Sequence, residues 1–245
     1  MLVYIDPGHG GSDSGAVGGG KTEKALALEI AKRLSEVLEA NGIKAVLTRS
    51  TDADVTLASR CTSANNAAAD CFVSIHLNSN AGTPASGVET LVYSTGTKAY
   101  SLAERVQNAV IAATGAVNRG VKLRPGLYVL RATHMPAVLV ETGFINHDGD
   151  RAKLSDPGYQ TTLAAAIARG VCDWAGIAFS DPGEEKPLPG DVDGDGKVTV
   201  ADVVELRQKI VAGEYSPAGD LDGDGRNTTA DVVALRQKIA KGEAG

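Results

Sequence analysis

Three short apolar segments of this sequence each end in a side chain that could bind a metal ion or transfer a proton. The segments lead into His9, His76 and Glu141, and small residues lie close to each of these side chains. Short apolar runs of this kind predict buried strands, and sites form outside the carboxyl ends of parallel strands. Two imidazoles and a carboxylate at one edge of a sheet are typical of a hydrolytic metal site, because zinc binds both types of ligand.

Two histidines alone do not complete a catalytic zinc site, which has three protein ligands and one open position. Glu23 begins a predicted helix just after the glycine-rich turn and could face the same edge, with Glu89 and Asp13 as alternatives. Glu141 ends a buried run, where a carboxylate is costly unless it is paired, bound to metal or functional. We interpret Glu141 as a general base; the structural alternative is a buried ion pair with Arg131.

Strand-like and helix-like segments alternate up to about residue 179. The predicted strands cover residues 2–5, 43–48, 71–76, 88–93, 127–130 and 137–141, and the predicted helices cover residues 23–40, 56–68, 98–113 and 159–175. The helices are recognised by their apolar periodicity. This alternation predicts an α/β fold with a mostly parallel, twisted sheet flanked by helices.

The composition changes close to residue 180. The chain has a net charge of −6, and all of this excess lies beyond that point. No segment is basic enough to indicate a nucleic-acid partner, and no apolar run is long enough to predict a membrane span. Residues 180–190 are hydrophilic and proline-rich, which is typical of a linker. We therefore predict a catalytic domain at 1–179, a linker at 180–190 and a second domain at 191–245.

The second domain contains an internal repeat, because residues 191–214 and 220–243 match at 17 of 24 positions. Each copy begins with Asp-x-Asp-Gly-Asp-Gly and has another aspartate at the twelfth position, a pattern that predicts a twelve-residue calcium loop. The predicted ligands are Asp191, Asp193, Asp195, Lys197, Thr199 and Asp202 in the first loop and Asp220, Asp222, Asp224, Arg226, Thr228 and Asp231 in the second, Lys197 and Arg226 through their carbonyls. Proline and glycine precede each loop and exclude the first helix of an EF-hand.

This loop-then-helix repeat resembles a type I dockerin, the module that attaches enzymes to the cohesin modules of a cellulosomal scaffoldin. The resemblance covers residues 191–243 and implies an all-α module that needs two calcium ions to fold and has two alternative cohesin-binding faces. Dockerins contact cohesin through loop positions 10 and 11 and the middle of the following helix. The resemblance implies that the corresponding residues here are Val200, Ala201, Arg207, Gln208, Thr229, Ala230, Arg236 and Gln237. The Arg-Gln pairs could also be ordinary solvated helix positions.

Four segments of the first domain together resemble the zinc-dependent N-acetylmuramoyl-L-alanine amidases of the amidase-3 family. They are DPGHGGSDSGA at 6–16, TEK at 22–24, NNAAADCFVSIHLN at 65–78 and PAVLVETGFIN at 136–146. The resemblance implies that His9, Glu23 and His76 bind zinc and that Glu141 is catalytic. The implied reaction is hydrolysis of the amide between N-acetylmuramic acid and L-Ala in peptidoglycan.

The same resemblance suggests substrate contacts and an open site. Asn78 and Arg131 could contact substrate, although either could be structural. Some members insert an inhibitory helix after the strand that ends at Asn78, but here only residues 79–87 separate it from the next strand. That segment is too short for such a helix.

The sequence therefore predicts a zinc hydrolase that acts on peptidoglycan and docks onto a cohesin. We expect a secreted protein, extracellular or at the cell surface and associated with a cellulosome, although this chain carries no signal peptide of its own. The expected cofactors are one zinc and two calcium ions. One alternative is a non-catalytic subunit that binds the cell wall. Another is a zinc hydrolase that acts on a plain peptide or an acetylated sugar.

Overall fold

A computed structural model describes residues 1–80, 82, 85–183 and 188–242. Contacts within the chain divide it into two compact units, Met1–Pro182 and Gly183–Gly245. Several predicted segments fall partly outside the described residues, namely the short segment after Asn78 (at 81, 83 and 84), the linker (at 184–187) and the end of the second domain (at 243–245).

The first unit is built on one six-stranded sheet, and its fold confirms the predicted mostly parallel α/β class. The strands are β1 (Leu2–Pro7), β4 (Lys44–Leu47), β5 (Cys71–Asn78), β6 (Val88–Val92), β7 (Asn118–Leu123) and β8 (Ala137–Phe144), in the order β4-β1-β5-β8-β6-β7. Strands β4, β1, β5 and β8 run parallel to one another. Strand β6 runs antiparallel to β8 and parallel to β7. A separate two-stranded ribbon joins β2 (Val17–Gly18) to β3 (Lys21–Thr22).

Helices cover both faces of this sheet because its central strands are apolar on both sides. The helices of the first unit are α1 (Glu23–Ala40), α2 (Leu57–Asn66), α3 (Lys98–Thr114), α4 (Tyr128–Ala132), α5 (Asp148–Leu154) and α6 (Pro157–Ala175). Helices α1, α3 and α6 form the larger core with one face, where Val73 and Ile75 of β5 point. Phe72 of the same strand points to the other face and packs with residues of α2 and α4. This alternation follows from the two-residue period of a strand.

The strand predicted at 127–130 is wrong. Residues 128–132 form the short helix α4, in which the Arg131 N–H donates to the Leu127 carbonyl at 3.2 Å. A short apolar run cannot distinguish a strand from a turn of helix, because four residues are too few to show either period. The edge strand β7 was not predicted from the sequence. Its residues Asn-Arg-Gly-Val-Lys-Leu are partly exposed along most of the strand and show no apolar alternation.

The second unit consists of two loop-helix segments around a small core. Helix α7 (Val200–Ala212) follows the first loop and α8 (Thr229–Ala240) follows the second, with a 3₁₀ turn at Pro217–Gly219 between them. The core contains Val192, Val198, Val203, Leu206, Val232 and Leu235. No helix in the described part of the chain combines the length and apolar character needed to cross a membrane.

Candidate metal centres

His9, Glu23 and His76 converge at the edge of the sheet where β1 and β5 end. Glu23 Oε1 lies 3.2 Å from His9 Nε2 and 2.9 Å from His76 Nδ1. One potential ligand atom from each of the three residues lies within 4.8 Å of the others. The two imidazole rings meet edge to face, with centroids 5.0 Å apart. Two nitrogens and one carboxylate oxygen that converge in this way fit the ligand set of a catalytic zinc ion.

Two glycines allow these side chains to come so close together. A Cβ atom on Gly8 would lie 2.3 Å from the His76 ring, and one on Gly15 would lie 2.6 Å from the His9 ring and 2.7 Å from Glu23 Oε2. Real Cβ contacts are not this short, so any larger residue at either position would displace a candidate ligand. The glycine-rich loop therefore brings the backbone within contact distance of the candidate ligands.

Buried arginines hold the backbone of the His9 loop. His9 has φ of 58°, an uncommon conformation for a residue other than glycine. Arg60 donates one hydrogen bond to the His9 carbonyl and one to Asp6 Oδ1, each at 2.7 Å. Arg49 donates to the Gly8 carbonyl at 2.7 Å. Both guanidinium groups are buried, so these bonds fix the loop with little competition from water.

The two alternative third ligands have other partners. Asp13 Oδ2 lies 2.8 Å from His9 Nδ1, on the side of the ring away from Glu23, and so orients the imidazole. Glu89 is buried and pairs with Arg119 and Lys122, at 2.8 and 2.9 Å. Neither carboxylate belongs to the group of three converging side chains.

The electrostatics of the three side chains favour a cation. Burial by itself would raise the pKa of Glu23, but hydrogen bonds from His76 and His9 outweigh burial and hold that pKa far below its ordinary value. The hydrogen bond to Glu23 raises the pKa of His9 to about 9, against the opposing effect of burial. At neutral pH the His9 imidazole is therefore protonated, and it must lose this proton before it can bind a metal ion.

Glu141 lies beside His76 on the adjacent strand, since the two residues are register partners of β8 and β5. Its Oε2 atom is buried and has no hydrogen-bond partner among the described residues. Burial raises the pKa of Glu141 to about 7, which suits a group that must both accept and donate a proton near neutrality. The alternative ion pair does not form, because Arg131 is exposed and stacks 5.7 Å from the Tyr128 ring.

Two depressions adjoin the candidate zinc ligands. The first, of about 440 Å³, is lined by Asn78, Glu89, Arg124 and Glu141 together with the three candidate ligands. Asn78, a predicted substrate contact, donates to Glu89 at 3.2 Å. The second has a volume of about 400 Å³. Arg131, the other predicted contact, lines neither depression. Arg124 could not be identified from the sequence, because this residue lies in a loop without a motif.

The predicted calcium loops bring carboxylates together twice. Asp191, Asp193 and Asp202 form one group, and Asp220, Asp222 and Asp231 form the other. A hydrogen bond from the Asp195 backbone favours the ionised form of Asp193, but desolvation and the neighbouring carboxylates outweigh it and raise the pKa of Asp193. A cation bound there would relieve this repulsion.

The other predicted side-chain ligands of the two loops accept hydrogen bonds from backbone N–H groups. Asp195 and Asp224 lie outside these groups and accept from the N–H groups of Lys197 and Arg226, at 2.8 Å in each case. The Thr199 and Thr228 side chains cap helices α7 and α8. The eight predicted cohesin contacts are exposed on the second unit.

An α/β unit with two histidines and a glutamate at a sheet edge, beside a buried carboxylate, has the arrangement of a metal-dependent hydrolase. Residues 3–173 match the family model described as N-acetylmuramoyl-L-alanine amidase, and residues 189–240 match the dockerin type I domain. The chain belongs to the N-acetylmuramoyl-L-alanine amidase family and carries a type I dockerin domain. Both predicted resemblances are confirmed.

Relatives and solved structures agree with this assignment. The chain is 42% identical over 174 residues to N-acetylmuramoyl-L-alanine amidase LytC of Bacillus subtilis, a match covering 70% of this chain but only 35% of that protein. It is 41% identical to the sporulation-specific N-acetylmuramoyl-L-alanine amidase of Bacillus subtilis, covering 70% and 67% of the two chains. The amidase AmiC2 of Nostoc punctiforme superposes with a TM-score of 0.69 at 44% identity, covering 72% of this chain and 97% of the other.

We expect zinc binding to the metal-free protein to release about one proton at pH 7. The His9 imidazole, with its pKa near 9, is protonated there and must become neutral to bind metal. Apparent zinc affinity should therefore rise about tenfold per pH unit between pH 7 and 9. Calorimetric titrations in buffers of different ionisation enthalpy measure the released proton. His134→Gln, at an exposed histidine, is the control, and zinc uptake without proton release at pH 7 would contradict the prediction.

We expect Arg60→Met to weaken zinc binding and to lower the free energy of unfolding by about 3–5 kcal/mol, because it removes the cationic partner of the buried Asp6 carboxylate. Arg60→Lys keeps the charge but cannot bond Asp6 and the His9 carbonyl together, so it should weaken zinc binding with a smaller loss of stability. Arg33→Met, which removes a partly exposed pair with Glu29, should cost less than about 1 kcal/mol. Unchanged zinc affinity in folded Arg60→Lys would show that the loop does not need this arginine.

Proposed function

We propose that this chain is a zinc-dependent hydrolase that cleaves the amide between N-acetylmuramic acid and L-Ala in peptidoglycan. The observation that carries the proposal is the convergence of His9, Glu23 and His76 next to the buried, unpartnered Glu141 Oε2 atom. The family match supports the choice of bond. The donor atoms fit zinc, and we assign His9 Nε2, Glu23 Oε1 and His76 Nδ1 as its ligands.

Bound zinc would polarise the scissile carbonyl and lower the pKa of a coordinated water to about 7. The chain itself supplies the base and the positioning. Glu141 accepts a proton from the attacking water and then delivers it to the leaving nitrogen of L-Ala. Its pKa, raised to about 7 by burial, allows both steps near neutral pH. Asn78 lines the same depression and is a proposed substrate contact; the position of Arg131 gives that residue no such support.

The second unit suggests where the enzyme works. We propose that it binds two calcium ions through the predicted loop ligands and attaches residues 1–179 to the cohesin of a scaffoldin. A dockerin next to an amidase domain is consistent with a secreted protein, extracellular or at the cell surface. The eight exposed loop and helix positions predicted from the sequence are the proposed cohesin contacts.

Replacement of Glu141 by glutamine should abolish hydrolysis and leave zinc content unchanged. Glutamine keeps the volume of the side chain but cannot accept the proton, and loss of a general base typically costs about 10² to 10⁴ in rate. Release of stem peptides from purified peptidoglycan and metal analysis of the purified protein measure the two effects. Mass spectrometry should identify L-Ala as the new amino terminus, which distinguishes this reaction from cleavage within a peptide or of an acetylated sugar.

Glu104→Gln is the matched control, because it makes the same change at an exposed position of α3. Equal hydrolysis by wild type and Glu141→Gln would remove the proposed base. A wild-type protein that binds peptidoglycan but releases no peptide would instead favour the non-catalytic alternative.

We expect a calcium chelator to unfold the second unit and abolish cohesin binding while hydrolysis continues in the presence of zinc. Without a cation the clustered carboxylates repel one another, and the small core offers little to oppose this. Circular dichroism follows helices α7 and α8, and binding to a panel of type I cohesins follows docking. Calcium, but not the same concentration of magnesium, should restore both signals. An unchanged spectrum in the chelator would rule out the loop assignment.

A further inference from the structure

The two depressions beside the candidate zinc ligands differ in chemistry. Both include His9 and His76 in their walls. One extends towards α2 and α4, where the exposed side chains of Leu57 and Tyr128 offer apolar and aromatic surface. The other extends across β8 and β6 and is lined by polar and charged groups that include Arg124. A substrate that passes through the site thus meets a different surface on each side of the scissile bond.

Positive charge is concentrated at the β7 edge of the polar depression. Strand β7 and the residue after it contribute Arg119, Lys122 and Arg124. The single carboxylate of Glu89 pairs with the first two cations, at 2.8 and 2.9 Å. At this edge one carboxylate faces two cations, so these contacts leave a local excess of positive charge before Arg124 is counted. The other carboxylates of the depression, Glu23 and Glu141, lie on α1 and β8, which do not pair with β7.

Arg124 is the cation of this group that has no acidic partner among the described residues. Its side chain is exposed, and its Nη1 donates to the neighbouring Leu123 carbonyl at 3.0 Å. Its backbone N–H donates to the Val92 carbonyl at 2.8 Å, which holds the residue at the end of β6. An exposed guanidinium group whose backbone is fixed in this way can exchange a single bond to a neighbouring carbonyl for a two-point contact with a carboxylate.

We propose that Arg124 binds the free carboxylate on the second residue of the stem peptide, supported by the positive field of Arg119 and Lys122. This inference rests on the proposed amidase function. The second residue is a glutamate joined through its side chain, so its α-carboxylate is the first charge beyond the scissile amide. That carboxylate lies about two residue lengths, about 7 Å, from the scissile nitrogen. Strands β8 and β7 are about 10 Å apart, so a long side chain from β7 spans the difference.

The difference in charge between the two depressions also fixes the direction of the substrate. The N-acetylated sugar on the other side of the scissile bond is neutral, so the cations of β7 do not attract it. Tyr128 and Leu57 offer it an apolar surface. The glycan therefore lies towards α2 and α4, and the leaving peptide lies across β6 towards β7. An enzyme arranged in this way prefers a free carboxylate to a carboxamide at the second residue.

Two N-acetylmuramoyl-L-Ala dipeptides that end in D-isoglutamate or D-isoglutamine test the proposal, with the zinc-loaded full chain. Wild type should show a kcat/KM about tenfold higher for the acid, as a charge-assisted bond requires. Arg124→Gln should lose about tenfold on the acid and change little on the amide, and 1 M salt should reduce the preference of wild type. Arg105→Gln, the same change at an exposed position of α3, should keep the wild-type preference.

A binding measurement separates failure of this inference from failure of the proposed function. Calorimetry with the free dipeptides L-Ala-D-isoglutamate and L-Ala-D-isoglutamine should show the same acid preference, lost in Arg124→Gln, whether or not the bond is cleaved. Equal binding and equal cleavage of the acid and amide forms would overturn the inference and leave the amidase function intact. An equal loss on both forms in Arg124→Gln would also overturn it, because Arg124 would then act without reading charge.

Discussion

A single carboxylate oxygen, Glu23 Oε1, holds the candidate catalytic site together. It lies within hydrogen-bond distance of His76 Nδ1 and accepts from the Leu77 backbone N–H, at 2.9 and 3.0 Å, and it lies 3.2 Å from His9 Nε2. These contacts join the loop after β1, the first turn of α1 and the end of β5. Three separate elements must therefore be in register before any metal ion binds, so the rigidity of the sheet is the precondition of the site.

The sheet fixes some of these positions directly and others through buried side chains. Strand pairing sets His76 beside Glu141 without further help. His9 lies beyond the end of its strand and has a left-handed backbone conformation, so pairing cannot place it. Arg60 does so by bonding the His9 carbonyl and the buried Asp6 carboxylate with one guanidinium group. The position of His9 is thus fixed relative to β1, because one planar guanidinium group donates to residues on both sides.

The sequence predicted the mostly parallel sheet, the four longer helices of the first unit and the edge of the sheet where the candidate ligands converge, because buried strands and amphipathic helices leave periodic patterns. It predicted less well where contacts depend on the fold. Strand patterning did not select Glu23 over Asp13 and Glu89; the fold separates them, because only Glu23 faces both imidazoles. The strand at 127–130 was a helix, since a four-residue apolar run has no period to read. Arg124 gave no signal, because its role depends on a depression formed by distant strands.

Glu23 and Glu141 show how one edge of a sheet can give two carboxylates opposite properties. Both are largely buried, and burial alone raises the pKa of each. Glu23 has backbone N–H groups and two imidazoles around it, so it stays ionised and suits a cation. Glu141 Oε2 has no such donor among the described residues, so its pKa stays near 7 and suits proton transfer. When their environments push the pKa values of two neighbouring acids apart, the two acids can take different roles. Here the number of hydrogen-bond donors around each carboxylate sets this difference, so Glu23 suits metal binding and Glu141 suits proton transfer.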